Sequence, residues 1–427
     1  MFLAERIRQL RIHKGLNQSE LVDGICSITY LSRIENGKIK PSKNFLKKIS
    51  QRLDIDLDYL VDSNIQKFED TIQKISDSYK ESTELTDKEI AFLEMHALEL
   101  HSVPVLLKIH GVLLHYYVSK QENDNADRIY ENSQRLLPDG GLEYYQFEES
   151  VYYFISCGNY FYNKQLFHRA NDYYTNAEKF IEDADDFQKA NLYYNLGLVK
   201  QRISKNQQIS RYYSLKSYNL YKELNLPIKI ISVLITLGVQ YHLDDMYEEA
   251  KECLDRAKIL NNDYKIKTFS GMINYNYGRI YQGMKDFNHA IQYFNESLEF
   301  YKDSSKEKIY SLKGLIEVYS ELKEWNLVNN YIMEAVNLVN EHDLKYLHVE
   351  IHAMVAELYK VRNNYYSYEK EMQRIIHFAE SHHQHLLIKK HSIKLADHYF
   401  SINAYKMAAK YYQIALKYSE QMNEEIQ

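Results

Sequence analysis

The sequence predicts an all-α protein in two parts: a small basic head and a long acidic body of stacked helix pairs. Three observations carry this. The 427 residues include only 13 Gly and 4 Pro, against roughly 51 expected at average usage of about 7% Gly and 5% Pro. Gly and Pro end helices and build turns, so the deficit excludes a sandwich, barrel or propeller, and also a Gly-rich phosphate-binding fold. Charge is uneven: residues 1–53 carry a net +7 and the rest a net −13, for −6 overall. Tyr is uneven too, since only Tyr30 and Tyr59 of the 41 fall before residue 67. Apolar content of 45% with 26% charged residues belongs to a folded chain.

Three isolated cysteines, Cys26, Cys157 and Cys253, form neither a disulfide framework nor a CxxC knuckle. That fits a reducing, cytoplasmic setting. The start MFLAERIRQL lacks an apolar stretch of signal-peptide length. No window approaches 18 apolar residues, so no membrane partner is expected.

The head reads as four helices and a short fifth. Leu3, Ile7 and Leu10 recur at helical spacing, and Gly15 follows the basic turn Arg11-Ile12-His13-Lys14 and stops the helix. A short second helix runs from Gln18 to Val22, with Leu21 and Val22 inward, and ends near Gly24. Ser27 caps a third helix to Glu35, with Ile28, Leu31 and Ile34 on one face. Asn36-Gly37 ends it, since both residues tolerate left-handed φ. Pro41-Ser42 opens a fourth helix through Phe45, Leu46, Ile49 and Leu53. Leu57 and Leu60 suit the fifth.

Three pieces of this run, Leu16-Asn17-Gln18-Ser19-Glu20-Leu21, Ser32-Arg33-Ile34-Glu35-Asn36-Gly37-Lys38 and Pro41-Ser42, fall in register with the phage-repressor-like helix-turn-helix family. The resemblance covers about residues 3–62. It implies a DNA-binding domain over 1–62 whose third helix enters the major groove, N-terminal residues first. Thr29, Tyr30 and Arg33 share its outward face and are expected at base edges, with Arg33 the guanine reader. Ile28 matches a base-reading position and suits a thymine methyl. Ser27, Gln18, Lys38 and Lys40 fall where phosphate contacts are expected. The resemblance also implies an internal ion pair between Arg11 and Glu35. One residue is absent from the turn around Gly24-Ile25, relative to the phage form. The alternative is a helix-turn-helix that binds protein alone.

The body carries a repeat near 40 residues. Small or apolar anchors fall at Gly158, Gly197, Gly238, Gly278, Ile316, Ala356 and Ala396. Three residues on come Phe161, Lys200, Tyr241, Tyr281, Tyr319, Tyr359 and Tyr399. Twelve residues past the anchor come Ala170, Ile209, Ala250, Ala290, Val328, Tyr368 and Ala408. Sixteen past it come Tyr174, Tyr213, Leu254, Phe294, Ile332, Met372 and Tyr412. This is similar to the tetratricopeptide signature, stretched from 34 residues. Stacking such pairs buries a continuous core and coils them into a right-handed superhelix with a concave groove. Gly111 anchors a looser earlier repeat. Residues 63–100 are connecting helices and 101–427 the repeat domain. Most Tyr then serve packing.

First helices of the pairs face the groove. The facing positions read Asn159, Asn163, Tyr194, Asn195, Gln201, Arg202, His242, Tyr275, Asn276, Arg279 and Gln282. Asn can hold a peptide backbone through donor and acceptor together, and Arg can fork onto a carboxylate. After residue 310 the positions turn mixed or acidic, so the earlier half is expected to hold the ligand. The alternative is that these are solvated surface residues. No triad or metal set stands out: His377, His382, His383, His385 and His391 lack a Cys or acidic partner at ligand spacing. No enzyme activity, metal or cofactor is expected.

A repressor-type head followed by a tetratricopeptide array resembles the RNPP family of peptide-sensing regulators. That resemblance implies a short signalling peptide in the groove, double-stranded operator DNA at the head, and a homodimer or tetramer whose arrangement the peptide changes. It also implies an alternative partner, a response regulator of sporulation, bound or dephosphorylated through the joining helices near Gln66 or Gln73. A third reading is a plain repeat scaffold.

Overall fold

A chain this poor in Gly and Pro must close its turns with other residues, and it does so in one recurring way. The computed structural model describes residues 2–14, 16–53, 57, 64–99, 101–136, 148–302, 305–342, 344–382 and 384–424, and among them every regular element is helical. The chain forms two compact units, residues 1–205 and 206–427.

The first unit opens with α1 (Phe2–His13), α2 (Gln18–Val22), α3 (Ile28–Glu35) and α4 (Lys43–Leu53). Asn17 and Glu20 cap α2 reciprocally: each backbone N–H donates to the other's side chain, at 2.7 and 2.9 Å. Ser27 caps α3, its Oγ accepting from the Tyr30 N–H at 3.2 Å. Ile7, Leu10, Leu21, Leu31, Ile34 and Ile49 are buried together between these helices. Ile28 was expected to share their face but is 48% exposed. It is the first residue of α3, a turn ahead of Leu31, beyond the edge of that core. Of the fifth helix, only Leu57 is described, packed on the same core; Gly15 and Leu60 lie outside the described residues.

The unit continues with α5 (Asn64–Ser82), α6 (Asp87–His96), α7 (Val103–Ser119) and α8 (Asn123–Leu136). Helices Glu148–Asn163, Phe167–Glu178 and Asp186–Ile203 complete it. The second unit holds helices from Gln208–Glu223 to Tyr405–Glu424, and from Pro227–His242 on consecutive helices pack in pairs.

Within a pair the anchor and the residue sixteen later occupy one space. A β-carbon on Gly278 would lie 2.6 Å from the Phe294 ring. Residues twelve past the anchor, such as Ala170, Ala250, Ala290 and Val328, are buried. The aromatic three past the anchor stacks on a ring twelve residues later: Phe161 on Tyr173, Tyr281 on Tyr293, Tyr319 on Tyr331 and Tyr399 on Tyr411, with centroids 5.3–5.7 Å apart. Seven residues past the anchor the backbone turns left-handed at Gln165, Asp245, Lys285, Lys323, Asn363 and Asn403, with φ of 56–62°. The next N–H donates back to the carbonyl of the aromatic three past the anchor, as in Asp286 to Tyr281 at 2.9 Å and Asn364 to Tyr359 at 2.9 Å. This is the helix-ending closure that Gly ordinarily serves.

The repeat anchored at Gly197 departs from the rule. Its second helix starts at Gln208, two residues later than the others relative to the anchor. Ile209, expected inward, is therefore 54% exposed and Tyr213 half-buried, while Ser210, Ser214 and Ser217 fill the inward positions. Tyr412, also expected inward, is exposed and donates to Asp397 at 2.5 Å.

Candidate functional site

The head's interior is organised by one buried carboxylate. Arg11 donates from Nε to Glu35 Oε1 at 2.8 Å and from Nη2 to Oε2 at 3.1 Å. Its Nη1 donates to the Leu16 carbonyl at 2.9 Å. Gln18 Nε2 donates to the same carboxylate at 2.6 Å. Three donors thus satisfy Glu35, as a buried charge requires. Gln18, expected at a phosphate, has its amide nitrogen turned inward. Ser27 uses its hydroxyl on the α3 cap. Tyr30 is half-buried, its ring edge-on to Phe45 at 5.6 Å. Ile28, Thr29, Arg33, Lys38 and Lys40 are exposed. The outward face of α3 therefore presents an apolar and a hydroxyl side chain in its first turn and a guanidinium in its last, with two ammonium groups after it.

In the first unit a cavity of about 270 Å³ is lined by Asn159, Asn163, Tyr174 and Asn195. Asn159 Oδ1 accepts from the Tyr174 hydroxyl at 2.7 Å and from Asn195 Nδ2 at 3.0 Å. Asn159 and Asn195 are thus brought together as a linked pair on the cavity wall. Tyr194, Gln201 and Arg202 do not line it; Arg202 lies over the Phe167 ring at 5.8 Å.

In the second unit a cavity of about 590 Å³ is larger, and it falls later in the repeats than the sequence reading favoured. Ile316, Val328, Ile332, Met354 and Leu358 form its apolar floor. Lys313, Lys390, Lys394, Glu317, Glu321, Glu350 and Glu357 line it with both signs of charge. Lys313 pairs with Glu350 at 2.8 Å and Lys394 with Glu357 at 3.3 Å. Gln282 is the one expected contact residue on its wall. Arg279 pairs with Glu317, and burial together with the Arg279 charge holds His242 below its ordinary pKa. Asn276 donates to the Met272 carbonyl of its own helix at 2.8 Å, and Tyr275 packs against Phe294. The cavity's charged pairs lie about 37 positions apart, one repeat, on neighbouring first helices, and are not among the residues the sequence offers as ligand contacts. Among the described residues the histidines near 380 do not converge: His382 bonds the Phe378 carbonyl and His377 is exposed. His383 lies outside them. No helix among the described residues is long and apolar enough to cross a membrane.

A helix-turn-helix family model matches residues 7–60 and a tetratricopeptide repeat model residues 273–304. The transcriptional activator NprA of Geobacillus stearothermophilus is 22% identical over 425 residues, 94% of this chain and 99% of that one. Response regulator aspartate phosphatase E of Bacillus subtilis (strain 168) is 28% identical over 204 residues, 45% of this chain and 51% of that one. Among solved structures, NprR in complex with its cognate peptide NprX superposes with a TM-score of 0.59 at 14% identity, covering 84% of this chain and 100% of that one. The class follows: a helix-turn-helix head on a tetratricopeptide-repeat body. Within that class the chain is similar in sequence to NprA and in fold to NprR.

Proposed function

We propose that this chain is a cytoplasmic, peptide-responsive transcriptional regulator without catalytic activity. The observation that carries the reading is the outward face of α3, where Ile28 and Thr29 in the first turn and Arg33 in the last stand exposed on a head of net +7. That is the part of a helix-turn-helix that meets base edges. Lys38 and Lys40 serve as phosphate contacts. One head reads one half-site, so a dimer or tetramer on a two-part operator is the binding form.

The repeat groove is the sensor. Its mixed charge over an apolar floor suits a short peptide better than a polyanion, and the peptide-bound NprR is a structural neighbour. The peptide acts by preferring one oligomeric arrangement over another, which is a population shift. A gel shift with DNA from upstream of the chain's own gene tests the head. A retarded band that Arg33→Ala abolishes or broadens to all sequences supports the reading; no band with wild-type protein rejects it.

The match to a response regulator aspartate phosphatase favours a second reading, binding of a response regulator by the joining helices. Gln73 is poorly placed for it, since its amide nitrogen donates to Asp77 at 2.8 Å and its carbonyl accepts from Lys108. The side chain of Gln66 lies outside what the structure describes. Phosphate release from a phosphorylated response regulator would decide this reading.

A further inference from the structure

The turn between α6 and α7 gathers three side chains that neither reading uses. Nδ1 of His96 lies 2.8 Å from Glu99 Oε2, and Nε2 of His101 lies 3.6 Å from the same oxygen. One ligand atom from each residue falls within 4.8 Å of the other two. Among the described residues, no other three His, Cys, Asp or Glu close to that distance.

Burial sets the cluster apart from ordinary surface pairs. His96 and His101 are 3% and 7% exposed, whereas Glu99 is exposed. The imidazoles therefore form the closed side, and the carboxylate the side open to water. His96, in the last turn of α6, is clamped by the rings of Phe68 and Phe92 at 5.0 and 4.5 Å. Its Nε2 is buried without a hydrogen-bond partner. The ligating atom is Nδ1, which already faces Glu99, and Nε2 takes no part in the cluster. His101 stands just before Ser102, the residue that precedes α7. A third imidazole, His110 of α7, is fully buried nearby.

Two imidazoles and a carboxylate are borderline donors, suited to zinc and similar ions. Bonds of about 2.1 Å in tetrahedral geometry put ligand atoms roughly 3.4 Å apart. The Glu99 to His101 spacing already matches. The His96 to Glu99 spacing opens by a few tenths of an ångström, a movement an exposed Glu99 can make.

We propose that His96, Glu99 and His101 form a zinc-type divalent metal site with its fourth position open to water. The ion would pin the turn before α7 to the end of α6, in the segment that joins head and repeats.

Untagged full-length chain, stripped with chelator, is titrated with Zn²⁺ by calorimetry and with Co²⁺ by visible absorption. The expected result is one equivalent bound and a tetrahedral Co²⁺ spectrum. His101→Ala should weaken binding by more than the roughly 10–100-fold that an outer-shell partner is worth. Glu99→Gln should weaken it in the same direction, and it keeps the fold because Glu99 is exposed. His377→Ala, an exposed histidine elsewhere, should change nothing. No binding by the wild-type chain overturns the proposal. So does binding that Glu99→Gln leaves unchanged, whether or not His101→Ala folds.

Discussion

Gly158 and Tyr174 occupy one space: a β-carbon on Gly158 would lie 2.2 Å from Tyr174 Cε1. Tyr174 is buried, and its hydroxyl reaches on to Asn159 at 2.7 Å. The ring cannot retreat without breaking that bond. Gly158→Ala should therefore cost about 1–3 kcal/mol, the usual effect of overpacking a filled core. The midpoint of urea unfolding reads it, and an unchanged midpoint would contradict the fit.

Lys285 turns the chain at φ +62°. Left-handed backbone costs an ordinary residue about 1–2 kcal/mol. Lys285→Gly should be at least as stable as wild type, and Lys285→Val less stable by about that amount. Equal thermal midpoints for both variants would show that the turn is not under this strain.

These pairs mark what was legible. Anchors and buried alanines recur at a fixed spacing, so the array could be read, and the head's caps and turn residues fall in register. The turns at Gln165, Lys285 and Lys323 could not be read, because Lys and Gln carry no preference for left-handed backbone. Ser210, Ser214 and Ser217 resemble surface residues in sequence, which put Ile209 inward by mistake. The rings twelve residues past the first aromatic were lost among 41 Tyr. The larger cavity was hidden because its charges, Lys313 with Glu350 and Lys394 with Glu357, meet only across neighbouring repeats. His96, Glu99 and His101 match no standard ligand spacing and converge only through the turn between two helices.

In the head, stability and DNA reading should separate. Arg11→Ala strands the buried Glu35 carboxylate and should cost about 3–5 kcal/mol of head stability. Arg33 is exposed, so Arg33→Ala should leave stability alone and remove about 1–3 kcal/mol of base discrimination. Anisotropy against specific and random duplexes distinguishes the two. A uniform loss for Arg33→Ala would make it a phosphate contact.

Burial and the neighbouring charges of Lys390 and Lys394 push His391 down to about 4 from the usual 6.5. His348 is likewise pushed down to about 4, by burial and the nearby His352 and Arg374. Between pH 6.5 and 4 the unfolded chain takes up protons that the folded chain refuses. Stability should thus be full above pH 6.5 and fall as pH drops through that window. The share from His391 is on the order of 3 kcal/mol. His391→Leu should flatten the profile of thermal midpoint against pH, and an unchanged slope would reject the assignment.

The central claim is that peptide at the repeats alters DNA binding at the head. The direct measurement is the affinity of full-length chain for its upstream duplex, with and without a synthetic peptide from a small secreted reading frame beside its gene. Sedimentation of the same samples reports the oligomer. Peptide should change affinity and oligomeric state together. Peptide that binds yet leaves both unchanged, or duplex that is never bound in either condition, would contradict it.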